Sequence, residues 1–121
     1  MPRYCDSDAA GHINNTAVAQ WFEVGRFDLY NNYIADIKPL MLRKIEIEYL
    51  REMNYVDEVT LYTGVHALSN KTITLRQELW QSGSLRSTSL STSCYVDSTT
   101  RRAAAIPDEL RPLCADFFYQ D

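Results

Sequence analysis

The stretch from about Asn15 to Tyr33 has a sustained helical spacing of apolar residues, and everything after it changes period. Ala17, Val18, Trp21, Phe22, Val24, Phe27, Leu29 and Tyr30 fall on more than one side of a helix of about 18 residues. A rod apolar over so much of its circumference is expected to be buried. Asn14, Asn15 and Thr16 are residue types that cap a helix start. Asn31 and Asn32 suit its end, ahead of a loop containing Asp36 and Pro39.

After Pro39 the period becomes two. Ile45, Ile47 and Tyr49 alternate with Lys44, Glu46 and Glu48, which predicts a strand with one covered and one wetted face. Val59, Leu61, Thr63 and Val65 repeat the pattern, and Ile73, Leu75, Gln77 and Leu79 follow the Ser69-Asn70-Lys71 turn. Gly83 breaks the next connection. From Leu85 to about Val96 a strand rich in serine and threonine offers little apolar burial, and is expected at a subunit contact or along a polar passage. Asp97 to Arg102 reads as a turn, and Pro107-Asp108-Glu109-Leu110 opens a brief helix. Phe117-Phe118-Tyr119 is expected to dock on its own domain or on a partner chain. His66, on a strand with no reactive group nearby in sequence, is read as structural.

At 121 residues the chain has room for one domain, and 45% hydrophobic residues is ordinary for a globular core. No run approaches the roughly 20 apolar residues that span a bilayer, and the amino end turns polar at once, so no membrane insertion and a cytoplasmic address are expected. A formal charge of −4 without a basic block argues against nucleic acid. Cys5, Cys94 and Cys114 lack C-x-x-C spacing, which predicts free thiols and no metal site.

Immediately before the helix stands Arg3-Tyr4-Cys5-Asp6-Ser7-Asp8-Ala9-Ala10-Gly11-His12-Ile13-Asn14-Asn15. It holds two carboxylates, a glycine turn, an imidazole and two capping amides. The first turn of a helix directs backbone N–H groups outward at the positive end of the macrodipole, which suits an oxygen gaining negative charge. The run therefore sets an acid beside oriented donors. Asp6, one residue removed from Asp8 in an extended segment, points away from it and is read as structural.

The same run resembles the signature of hotdog-fold thioesterases of the 4-hydroxybenzoyl-CoA thioesterase type, roughly R-Y-x-D-x-D-x-x-G-H-[VI]-N-N. The likeness extends through Trp21-Phe22-Glu23-x-x-Arg26 and returns at Ile106-Pro107-Asp108-Glu109-Leu110-Arg111. The chain departs from it at Val18, where tyrosine is usual, and in a first strand that is short or has lost its beginning. The resemblance implies a single α+β domain over residues 1–121, an antiparallel sheet wrapped around one long central helix. It also implies a homodimer or homotetramer that hydrolyses an acyl-CoA thioester, with coenzyme A entering as part of the substrate and no other cofactor.

By the same resemblance Asp8 is the essential acid, as nucleophile or as general base for water. The backbone N–H near Asn15 is the oxyanion donor, and removing one such donor costs other enzymes roughly 3 to 4 kcal/mol. His12 polarises the carbonyl, positions water or supports the turn, and Gly11 lets the backbone approach the ligand. Glu23 pairs with Arg26 or lines the acyl pocket, while Lys71 and Arg102, beside turns, are candidates to hold the coenzyme phosphates. Acyl-carrier-protein thioesterases of plants carry D-x-N-x-H, of which Asp8 and His12 are present and Ala10 replaces the asparagine. An acyl-carrier-protein substrate and a noncatalytic acyl-thioester-binding module are the alternatives. The H-F-P and D-x-N-P-x-H segments of hotdog dehydratases, and the H-G-G run of another thioesterase branch, do not occur.

Overall fold

One helix is laid across one face of a sheet, meeting the far edge strand only near its own amino end. The computed structural model describes residues 15–34, 40–54, 56–115 and 117–118. Helix α1 runs Asn15–Asn32, followed by strands β1 (Leu40–Tyr49), β2 (Val59–Leu68), β3 (Thr72–Gln81) and β4 (Ser84–Tyr95). A 3-10 turn at Asp108–Leu110 leads into α2 (Arg111–Ala115). The four strands form one antiparallel sheet in the order β1-β4-β3-β2.

Local chemistry accounts for the turns. Ser82 and Gly83 both take positive φ, 53° and 76°, which a two-residue hairpin needs to match strand twist, and Gln81 sits opposite Ser84. At the β2–β3 turn Ser69 N–H donates to the Thr72 carbonyl at 2.9 Å. Asp97 Oδ1 accepts from the amides of Thr99 and Thr100 after β4, and these two bonds hold its carboxyl below the usual range.

The core has two parts, one at each end of α1. Leu29, Tyr30 and Ile34 pack with Val65, Ile73, Leu75, Ile106, Leu110 and Cys114; Ala17, Val18 and Phe22 pack with Met53 and Leu79. Between them the helix comes unusually close to β2 and β3 at Gly25. A Cβ placed there would lie 2.5 Å from Leu61 Cδ2, 2.8 Å from Gln77 Nε2 and 3.0 Å from Thr63 Oγ1. Fully buried Gln77 donates from Nε2 to the Phe22 carbonyl at 2.8 Å and to Thr63 Oγ1 at 3.2 Å, tying β3 to the middle of α1.

Two expectations change. The helix is buried along one stripe only (Ala17, Val18, Phe22, Gly25, Arg26, Leu29, Tyr30), while Val24 and Phe27 are more than half exposed, because a single sheet covers one side of a rod. Strand β1 has no well-covered face: Leu42, Ile45 and Tyr49, on the helix side, are 38 to 47% exposed, since α1 lies over β2 and β3 instead. The serine-rich β4 is an inner strand whose Ser87, Ser89, Ser91 and Ser93 are buried on the helix side opposite Leu79, Gln77, Leu75 and Ile73. Phe117 does dock on its own domain: its carbonyl accepts from Val65 N–H at 2.6 Å and its ring meets Tyr33 at 5.5 Å. Asp36, Pro39 and Tyr119 lie outside the described residues.

Two measurements follow from this packing. Gly25→Val should destabilise the fold by about 1–3 kcal/mol, the usual range for overpacking, read as a lower urea midpoint at unchanged slope; parent-like stability would show that the helix is not seated at this point. Burial raises the Tyr30 phenol above its ordinary value near 10, with the Ser93 hydroxyl and Arg26 acting in the opposite direction. The unfolded chain therefore loses this proton first, and stability that is complete below pH 10 falls as pH rises beyond it. Tyr30→Phe should flatten that alkaline decline in a series of denaturation curves.

Candidate functional site

The fold presents an exposed helix start and, further along the same helix, a trough between α1 and β1. Asn15 opens α1 and is exposed, and its carbonyl accepts a hydrogen bond from Tyr49 Oη at 3.4 Å. The amino end of α1 thus lies next to the carboxyl end of β1. No acidic residue occupies the first helical turn, so nothing on the helix itself neutralises the positive end of its dipole there. Asp6, Asp8, Gly11 and His12 lie outside the described residues.

Further along the helix, which is held over β2 and β3, α1 and β1 wall a trough of about 620 Å³ lined by Glu23, Arg26, Phe27, Tyr30, Asn31, Leu40, Leu42 and Ser93. It lies toward the Leu40 end of β1, on the same side of the sheet as Asn15. Phe27, Leu40 and Leu42 make the lining largely apolar. A different concavity, about 480 Å³ between Thr60, Tyr62, Glu78 and Trp80, opens on the sheet face turned away from α1 and cannot take a ligand held at Asn15.

The base of the groove is polar. Arg26 is only 8% exposed, although a guanidinium is rarely buried without a carboxylate. Among the described residues it makes one hydrogen bond, from Nη1 to Gln77 Oε1 at a long 3.5 Å. Burial lowers its pKa, while Tyr30 and Glu23 raise it; Glu23 lines the groove beside Arg26, one of the places expected for it, without a direct ion pair between the two within the chain. The hydroxyls of Tyr30, Ser89 and Ser91 are buried without a well-formed hydrogen bond among the described residues.

The structure does not bring the phosphate candidates to the helix start of the same chain. Lys71 is exposed in the β2–β3 turn, and its carbonyl accepts from Tyr95 N–H, opposite Leu40. Arg102 is exposed beside the Asp97 turn. Both stand at the Leu40 end of the sheet, while Asn15 stands at the Tyr49 end, roughly 30 Å away along a ten-residue strand. His66 is exposed at the irregularity in β2. Sequence reasoning treated Arg26 only as a partner for Glu23, yet its place on the Phe22–Tyr30 stripe was a signal that it faces inward.

Among the described residues no group of three His, Cys, Asp or Glu is placed to hold a metal ion, and no helix is long and apolar enough to cross a membrane. Comparison with known proteins bears on the rest. The profile of the thioesterase-like superfamily matches residues 2–113, the Arg3–Asn15 run included. A predicted thioesterase from Bacillus stearothermophilus is 30% identical, with a TM-score of 0.90 over 100% of this chain and 94% of that one. A thioesterase from Thermus thermophilus complexed with coenzyme A and Zn superposes with a TM-score of 0.85 at 19% identity, over 99% of this chain and 92% of that one. A Staphylococcus aureus protein in complex with CoA gives 0.81 at 21%, over 97% and 79% respectively; at these lower identities the likeness speaks for the fold alone. No curated protein sequence matches significantly. With the profile spanning nearly the whole chain, and a helix on an antiparallel sheet shared with a 30% identical predicted thioesterase, the chain belongs to the thioesterase-like superfamily.

Proposed function

We propose that this chain hydrolyses an acyl-CoA thioester to a free carboxylic acid and coenzyme A, as a hotdog domain whose sheet wraps around α1. The observation that carries this reading is the largely apolar groove between α1 and β1, on the same side of the sheet as the exposed amino end of α1. A thioester carbonyl at the helix tip directs its acyl chain along α1 toward this groove. The tip has the polarity to stabilise a tetrahedral oxyanion, with the Asn15 amide as donor. Asp8 either takes a proton from a water that attacks the carbonyl, or attacks it itself to give a mixed anhydride that water then hydrolyses; in both routes the C–S bond breaks, the acyl group keeps the water's OH, and coenzyme A leaves as the thiol with the water's other proton. His12 polarises the carbonyl, positions the water or supports the turn, and Gly11 lets the backbone approach the ligand. Coenzyme A arrives with the substrate, so the reading calls for no resident cofactor. The CoA-bound relatives support this class of substrate.

The same reading includes a second copy of the chain. Strand β1 is a ten-residue edge carrying exposed Leu42, Ile45 and Tyr49 on the side facing α1, a combination that invites strand pairing. Two β1 edges paired antiparallel about a two-fold axis place the Leu40 end of one beside the Tyr49 end of the other. Lys71 and Arg102 of the second copy then come to the end where this chain's α1 begins, and there they hold the coenzyme phosphates; tetramers follow if such dimers pack further. The buried free thiols of Cys94 and Cys114 support a reducing, cytoplasmic setting.

Thiol release from a panel of acyl-CoA and acyl-carrier-protein thioesters tests the activity. Asp8→Asn should lower kcat at least a hundredfold with a parent-like melting curve; equal background rates in both proteins would favour a binding module. Sedimentation velocity tests the assembly: the parent should be dimeric or larger and Ile45→Lys monomeric, and a monomeric parent would remove the second copy from the scheme.

A further inference from the structure

Arg26 is a charged group without a matching partner at the base of the groove. A guanidinium carries five N–H donors, and among the described residues one of them is used, over 3.5 Å. Burying such a group without a carboxylate or several acceptors is costly unless something completes it. Nearby, the hydroxyls of Ser89 and Ser91 are buried without hydrogen-bond partners among the described residues, the Tyr30 phenol has only a poorly formed contact with the Ser93 hydroxyl, and the Ser93 side chain lines the same groove. A groove for plain alkyl chains gains nothing from this arrangement.

We infer that the groove receives an acyl chain whose far end carries an oxygen function, a carboxylate, hydroxyl or keto group, and that Arg26 is the residue that reads it. The inference rests on the thioesterase reading, since it takes the reacting carbonyl to lie at the start of α1. Arg26 stands eleven residues along the helix from Asn15, about 16 Å at the usual rise, and helical side chains lean back toward the amino end. The oxygen function therefore belongs on a chain of medium length. Its oxygens would accept from the unused N–H donors of Arg26, with the Tyr30 and Ser93 hydroxyls alongside, while Phe27, Leu40 and Leu42 enclose the methylenes. Glu23, at the same groove, is the one lining residue that opposes an anionic end, so the carboxylate and the neutral oxygen functions are to be separated by experiment.

The test compares octanoyl-CoA with its ω-hydroxy and ω-carboxy derivatives, and with butanoyl-CoA, which is too short to reach Arg26. The parent should show at least a tenfold higher kcat/KM for one or both ω-oxygenated substrates than for octanoyl-CoA. Arg26→Met should abolish that advantage, Arg26→Lys should retain part of it, and butanoyl-CoA should respond to neither change. A preference for the ω-carboxy over the ω-hydroxy chain assigns the anionic end; the reverse assigns the neutral one. An equal or better rate with octanoyl-CoA in the parent, unmoved by Arg26→Met, overturns the inference. If Arg26→Met does not fold, Tyr30→Phe carries the comparison and should weaken the advantage. If the parent hydrolyses no thioester at all, butanoyl-CoA included, the thioesterase reading fails by itself. Calorimetric binding of the S-alkyl, non-hydrolysable analogues then decides the inference, with tighter binding of the ω-oxygenated analogue in the parent only as the supporting result.

Discussion

The seating of α1 at Gly25 sets the lateral position of the helix, and the rest of the concave face depends on it. With no Cβ at that residue the helix backbone reaches Leu61, Thr63 and Gln77 directly, and the Gln77 amide caps the contact by donating to a carbonyl in mid-helix. A buried side-chain amide that must be satisfied fixes orientation more narrowly than apolar contact does, because its geometry tolerates little sliding. Held over β2 and β3, the helix leaves β4 and β1 open on the same side. The trough is therefore a consequence of where the helix is pinned.

The trough has an unusual division of labour. Its walls are apolar, from Phe27 on the helix and Leu40 and Leu42 on β1, while its base is built from a guanidinium, a phenol and serines. Small residues along β4 make this possible: serine side chains fill little of the space beneath α1, so longer groups from the helix settle over them. Leucines at those positions would have made an ordinary core and displaced Arg26 toward solvent. The polarity of β4 and the inward turn of Arg26 are thus two sides of one packing solution.

Distribution along the sheet separates the functions by end. The helix tip and Tyr49 mark one end, and the exposed cations Lys71 and Arg102 mark the other. In the dimer proposed above a two-fold related copy would bring opposite ends together and cover the exposed edge and apolar side of β1. Each site would then draw its acid and oxyanion donor from one copy and its phosphate contacts from the other.

The sequence by itself determined which segments are helix and strand, because periodicity and capping are local: α1 ends within one residue of its expected boundary, and β2, β3 and β4 lie where the alternation placed them. It also determined the family, since the Arg3–Asn15 run and its two downstream companions are local patterns. Three-dimensional packing alone decided which of the helix's apolar residues are buried, that β4 is an inner strand whose serines face the helix, and that Gln77 is the partner Arg26 meets there. Those outcomes depend on strand order and on the contact at Gly25, which join residues about fifty positions apart, and no local spacing carries that information.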